Sequence, residues 1–140
     1  MSAGSLFRSR EFLAIASTGF ARSQAYSTVL IALALYAEVF ATTGTIEGLF
    51  GTAFALAQVL VVFPLGRRID TGDAKRYLIA GLAINVAVFV GFAAAESAAP
   101  VVLVRVVEGL GASLLWVPGG TVVGEISPEE GSGRWLGAYN

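Results

Sequence analysis

Two apolar runs, residues 46–65 and 77–95, flank a charged stretch of eleven residues, and no other feature of the chain restricts its fold so severely. Each run is long enough to cross a hydrocarbon core of about 30 Å as a helix. The connection is too short for anything but a tight helical hairpin. It reads Gly66, Arg67, Arg68, Ile69, Asp70, Thr71, Gly72, Asp73, Ala74, Lys75, Arg76, and it holds four of the nine basic residues. Basic loops stay on the cytoplasmic side of a membrane, so this one sets the expected orientation of all the other segments.

Composition agrees with a membrane protein. With 56% hydrophobic residues, 14% charged residues and a mean hydropathy of +0.75, the chain lacks the polar surface that a soluble domain of this length requires. It has no cysteine and no histidine. Disulfide frameworks, Cys/His metal centres and thiol or imidazole catalysis are therefore excluded. No nucleophile–base pair or cluster of metal ligands converges elsewhere, so neither enzymatic activity nor a cofactor or metal is expected. The net charge of −1 gives no electrostatic footprint for nucleic acid.

In chain order, residues 1–11 form a short cytoplasmic head with Arg8 and Arg10. A long apolar run follows at 12–41; it exceeds the core of a secretory signal and is interrupted by Arg22, Ser23 and Gln24, so it reads as a first transmembrane helix. The second and third helices occupy about 46–65 and 77–95, and the fourth about 100–126, with Pro100 in its first turn. Together they make a four-transmembrane-helix segment over 12–134. Residues 135–140 resemble the opening of a truncated fifth helix or a tail resting at the membrane surface, and the first of these is preferred. On this assignment Arg8, Arg10, Arg67, Arg68, Lys75, Arg76 and Arg134 all lie inside and no basic residue lies outside. The N-terminus is accordingly cytoplasmic.

Arg22 and Arg105 fall within the spans. An arginine at mid-membrane costs about 2.5–3.5 kcal/mol on insertion scales, so both are expected to face a bundle interior or watery cavity. Arg105, Glu108, Gly109, Ala112 and Trp116 share one helical face, which lets Arg105 and Glu108 neutralise each other within a turn. Thr18, Arg22 and Tyr26 share a face of the first helix, with Gln24 directed away, and Asn85 is the polar residue of the third helix. Each of these also has a structural reading: an Arg–Glu pair fixing helix register, Asn85 and Gln58 as interhelical hydrogen-bond partners, and Arg22 snorkelling to the interface. Gly44, Gly48, Gly51, Thr52 and Ala55 form a small-residue stripe suited to close helix approach. Pro118, Gly119 and Gly120 predict a bend in the fourth helix.

Gly66 followed four residues on by Asp70, in a basic loop closed by Lys75 and Arg76, resembles the signature loop between the second and third helices of the major facilitator superfamily. Arg105, Glu108, Gly109, Gly111 and Ala112, then Pro118, Glu125, Pro128 and Arg134, resemble the fourth-helix pattern of its drug- and sugar-type members. The loop departs from the family pattern at Thr71, and its glycine, Gly72, is displaced by one position. The resemblance implies a secondary transporter of twelve spans in two six-helix halves, multi-pass in the cell membrane, moving a small-molecule solute either coupled to H+ or driven by another gradient. In such a protein Arg22, Tyr26, Asn85, Arg105 and Glu108 belong to the substrate and coupling cavity. Gly66, Arg67, Arg68, Asp70, Gly72, Lys75, Arg76 and Glu125 form the gate, with Gly66 packing on the other half and the loop arginines bridging to Glu125. The remaining helices of a full-length transporter and the lipid bilayer are the implied partners. This chain would supply the N-terminal four helices and be inactive alone. Two other classes compete: a four-helix small multidrug exporter working as a dimer, and a membrane anchor or regulator that transports nothing.

Overall fold

The computed structural model describes residues 8–69 and 72–140, which form four long helices and a short fifth. Helix α1 spans Arg10–Val39, α2 Gly44–Ile69, α3 Ala74–Ala93, α4 Ala98–Ile126 and α5 Ser132–Tyr139, with a single 3-10 turn at Glu129–Gly131 before the last. Residues 1–7 of the head, like Asp70 and Thr71, lie outside the described residues.

Local chemistry explains the boundaries. Ser9 caps α1 by accepting from the Phe12 amide at 3.2 Å, and Glu11 in the first turn complements the helix dipole. At the other end, the Thr42 amide donates to the Ala37 carbonyl and the Ala41 amide to Glu38, the two bonds of a Schellman cap. Such a cap needs a left-handed residue, and Ala41 takes that place with φ of 46°.

The α2–α3 connection is shorter than the charge pattern predicts. Helix α2 continues through Gly66, Arg67 and Arg68 to Ile69, because cations are favoured in a last helical turn. Helix α3 begins early because Asp73 caps it, accepting from the Lys75 amide at 3.0 Å. Lys75 and Arg76 therefore stand in the first turn of α3, and only residues 70–73 connect the helices. Likewise α1 and α3 end two residues earlier than the apolar runs suggest, and α4 begins at Ala98.

Helix α4 is the axis of the bundle. It packs against α2 and α3 over long stretches and also against α1 and α5, which is why ten of its residues are buried. Glycines set the close approaches. A Cβ at Gly109 would meet the Phe54 carbonyl and stand 2.8 Å from the Ala57 Cβ on α2; at Gly81 of α3 it would stand 2.8 Å from the Leu115 side chain of α4. The stripe at Gly44, Gly48 and Gly51 behaves differently: no other atom lies within 4 Å of a Cβ built there, so its expected close helix partner is not among the described residues. The space that close packing requires comes instead from α4 itself. That helix also runs unbroken past Pro118 and the two glycines after it.

Two apolar clusters close the ends. Val29, Phe50, Val88, Phe92 and Val101 form one, at the α1–α2 turn, where the Tyr36 hydroxyl donates to the Phe92 carbonyl at 2.5 Å. Phe12, Val123, Trp135 and Tyr139 form the other, with Phe12 and Trp135 edge to face at 5.1 Å. Trp135 is thus buried. Outward, the helices expose large apolar residues such as Phe63 at 78%, Leu103 at 67% and Ile31 at 67%, surfaces suited to lipid and not to water.

By length and composition α2, α3 and α4 are each apolar enough to cross a membrane. Helix α1 is not in that group. Its 30 residues reach about 45 Å at 1.5 Å per residue, ample for a crossing, but Thr18, Arg22, Ser23, Gln24 and Ser27 interrupt its centre. The expectation of four apolar spans therefore holds for three, and the fourth long helix carries a polar stripe.

Candidate functional site

The polar stripe of α1 faces a gap. Helix α1 leans on α4 and, less extensively, on α3, and packs little against α2. Between them lies a concavity of about 490 Å³. Its wall is made by Arg22, Ser23, Tyr26 and Ser27 of α1, Phe54 and Gln58 of α2, Asn85 of α3, and Glu108 and Ala112 of α4. A second hollow of about 540 Å³ shares Tyr26, Phe54 and Gln58 with the first and runs on past Arg105 and Phe50 to Glu47. The two form one groove along α1.

Arg105 is held on every side. It is 3% exposed; its Nη1 donates to Glu108 Oε2 at 2.5 Å and its Nε to the Phe50 carbonyl at 2.8 Å. The guanidinium carbon stands 4.3 Å from the centroid of the Phe54 ring. Phe54 in turn lies 5.9 Å from the ring of Tyr26. The contact with Phe50 exists because Gly109, one turn along α4, lets the α2 backbone come close enough for its carbonyl to reach the guanidinium. Packing at a glycine thus positions the charge. The pair links two helices, not merely two residues of one.

Arg22 is held differently. It is half-buried on the cavity wall, and its Nε is buried with no hydrogen-bond partner among the described residues. An unsatisfied buried donor costs about 1–3 kcal/mol. The Tyr139 hydroxyl stands within electrostatic reach of it and donates to the Leu115 carbonyl at 3.2 Å. Tyr139 lies against Gly19 of α1 and Gly119 of α4, so α5 packs across the N-terminal part of α1.

All five cavity residues named from the sequence, Arg22, Tyr26, Asn85, Arg105 and Glu108, therefore lie along this one groove. Thr18 is displaced toward Tyr139, Gln24 is exposed away from the site, and Trp116 is exposed outside the groove wall. Phe54 and the site role of Gln58 escape a reading by residue type. A phenylalanine in an apolar run carries no signal, and a lone glutamine reads as a packing partner.

The residues expected at a gate, so far as they are described, lie at the end of the bundle where α2 and α4 finish and α1 and α3 begin. Arg67 and Arg68 occupy the last turn of α2. Arg76 pairs with Asp73 at 3.6 Å on the surface, and Glu125 is exposed near the end of α4. No atom stands within 4 Å of a Cβ built on Gly66. Gly72 is tight: its amide donates to the Ile69 carbonyl at 3.2 Å, and a Cβ there would meet the Arg68 carbonyl at 2.8 Å. Glycine is required at that position by the four-residue turn. The Asp70 assignment falls outside the described residues.

A family model described as Major Facilitator Superfamily matches residues 15–140. The chain belongs to the major facilitator superfamily. Neither a search of curated proteins nor a search of solved structures produced a match. Membership makes the chain part of a multi-pass membrane transporter, and members of the superfamily are transporters rather than enzymes. The match begins in the second turn of α1 and runs through every residue of the groove to α5.

Proposed function

We propose that this chain forms the cavity wall and cytoplasmic gate of a secondary active transporter of small solutes in the cell membrane, with its N-terminus cytoplasmic. The observation that carries this reading is the buried Arg105–Glu108 pair, set in the cavity wall and clamped to the α2 backbone. Such a pair is a natural coupling element. A proton reaching Glu108 from the cavity removes the counter-charge of Arg105, leaving the guanidinium on the Phe50 carbonyl and Phe54 ring alone and weakening the tie between α4 and its own turn. Solute entry and proton transfer then bias the same helix contact, which is what coupled alternating access demands. The resemblance of the α4 pattern supports a drug- or sugar-type proton-coupled member, with antiport and multidrug efflux among its activities.

The gate we propose consists of Gly66, Arg67, Arg68, Asp70, Gly72, Lys75, Arg76 and Glu125; what supports it is that those among the described residues lie toward one end of the bundle. Gly66 presents an open surface to a helix of the second half, and the arginines bridge to Glu125 in one gate state. The small-exporter alternative places its coupling acid on the first helix. The buried acid among the described residues is Glu108, on α4.

The test needs no knowledge of the solute. The chain has no cysteine, so Ser27→Cys in the intact protein, cleared of any cysteine elsewhere, places one thiol on the cavity wall. In oriented vesicles its alkylation by an impermeant maleimide should change in rate when a proton gradient is imposed. A rate indifferent to the gradient refutes proton-coupled access.

A further inference from the structure

We propose that the solute is an organic monocarboxylate with an apolar, ring-sized body, its carboxylate received by Arg22. This deepens the transport reading above and rests on it. The argument begins with charge. Arg105 and Glu108 neutralise each other at 2.5 Å within one turn of α4. Arg22 makes no ion pair among the described residues; the other acid of the groove, Glu47, stands exposed at its far end and accepts from the Thr42 hydroxyl, so Arg22 is the uncompensated charge of the hollow that it lines. The neighbouring Tyr139 hydroxyl is neutral at ordinary pH and is already committed to the Leu115 carbonyl.

Geometry then selects the group. The donor left without a partner is the Arg22 Nε. In a guanidinium, Nε–H and the neighbouring Nη–H point the same way and form a side-on fork that matches the two oxygens of a carboxylate. A dianion such as a phosphate monoester would satisfy the same fork but carry a second negative charge into a cavity that already holds the Glu108 carboxylate. One free cation calls for one negative charge.

The rest of the wall describes the body of the molecule. Tyr26 is 45% exposed, and its ring lies close to that of Phe54, giving the groove an aromatic surface beside Arg22. Gln58 and Asn85 add amides that hydrogen-bond a neutral substituent. A volume of about 490 Å³ accepts a small organic molecule with room for its bound water.

The experiment uses four probes of nearly one shape on the intact protein in detergent: benzoate, benzamide, benzamidine and phenyl phosphate, compared by equilibrium binding. Benzoate should bind saturably and at least about tenfold tighter than each of the other three, a difference of about 1.4 kcal/mol. Arg22→Gln should weaken benzoate by at least about tenfold, while Arg22→Lys, which keeps the charge but loses the fork, should retain part of the affinity. Equal affinity for benzoate and benzamide, preference for benzamidine, tighter phenyl phosphate binding, or no saturable benzoate binding would each overturn the proposal. The charge series on the unaltered protein decides the matter even where an Arg22 variant fails to insert. A gradient-responsive thiol at position 27 combined with failed benzoate binding removes the monocarboxylate and leaves the transport reading standing; an unresponsive thiol removes the latter.

Discussion

Replacing Gly109 by alanine adds one methyl group at the place where α2 and α4 come closest. The new Cβ would collide with the Phe54 carbonyl and stand 2.8 Å from the Ala57 Cβ, and backbone cannot rotate aside as a long side chain can. Helix α2 must retreat. Overpacking of this kind costs about 1–3 kcal/mol. Retreat also pulls the Phe50 carbonyl from Arg105 Nε, now at 2.8 Å, and a hydrogen bond to a charged group contributes about 1.5–3 kcal/mol. Against these stands the better helix propensity of alanine, about 1 kcal/mol in water. The net expectation is a loss of about 1.5–5 kcal/mol from those three contributions. The assay is unfolding of the protein from mixed micelles by a denaturing detergent, followed by circular dichroism. Gly51→Ala on the open side of α2, where no atom lies within 4 Å, serves as the comparison and should be neutral or stabilising. Equal stability of the two variants would refute the reasoning that Gly109 sets the α2–α4 distance and, through it, the Arg105 clamp.

The same assay examines two further features. Ala41→Gly should stabilise the protein by up to about 1 kcal/mol, because the left-handed position that closes the cap of α1 suits glycine and strains alanine; an unchanged or lower midpoint counts against that cap. Glu108→Ala should destabilise by about 3–5 kcal/mol by leaving Arg105 buried and unpaired, whereas the double replacement Arg105→Met with Glu108→Leu should recover most of that loss. If the double variant, inserted and stable, still shows gradient-responsive alkylation at position 27, the pair serves packing alone and has no part in coupling.

The sequence by itself determined the helical hairpins, their order and the collection of basic residues at one end, because hydrocarbon thickness and the exclusion of charge act on local stretches of chain. Arg105 and Glu108 were also legible as a pair, since three residues on a helix place two side chains on one face. The charged loop read longer than it is: the capping carboxylate of Asp73 and the favourable placement of Arg67 and Arg68 in a last turn extend both helices into it. What only the tertiary structure decided is the spacing between helices. Pattern along one helix cannot say which glycine is used, so the stripe on α2 looked like the packing surface while Gly109, Gly111 and Gly81 do that work around α4. Nor can it distinguish a satisfied arginine from an unsatisfied one. Arg105 found a carboxylate, a backbone carbonyl and a ring, two of them on another helix; Arg22 was left with a buried donor facing a cavity because α1 and α2 do not close against each other. Partners that lie dozens of residues apart in the chain are chosen by packing, and packing is a property of the assembled bundle.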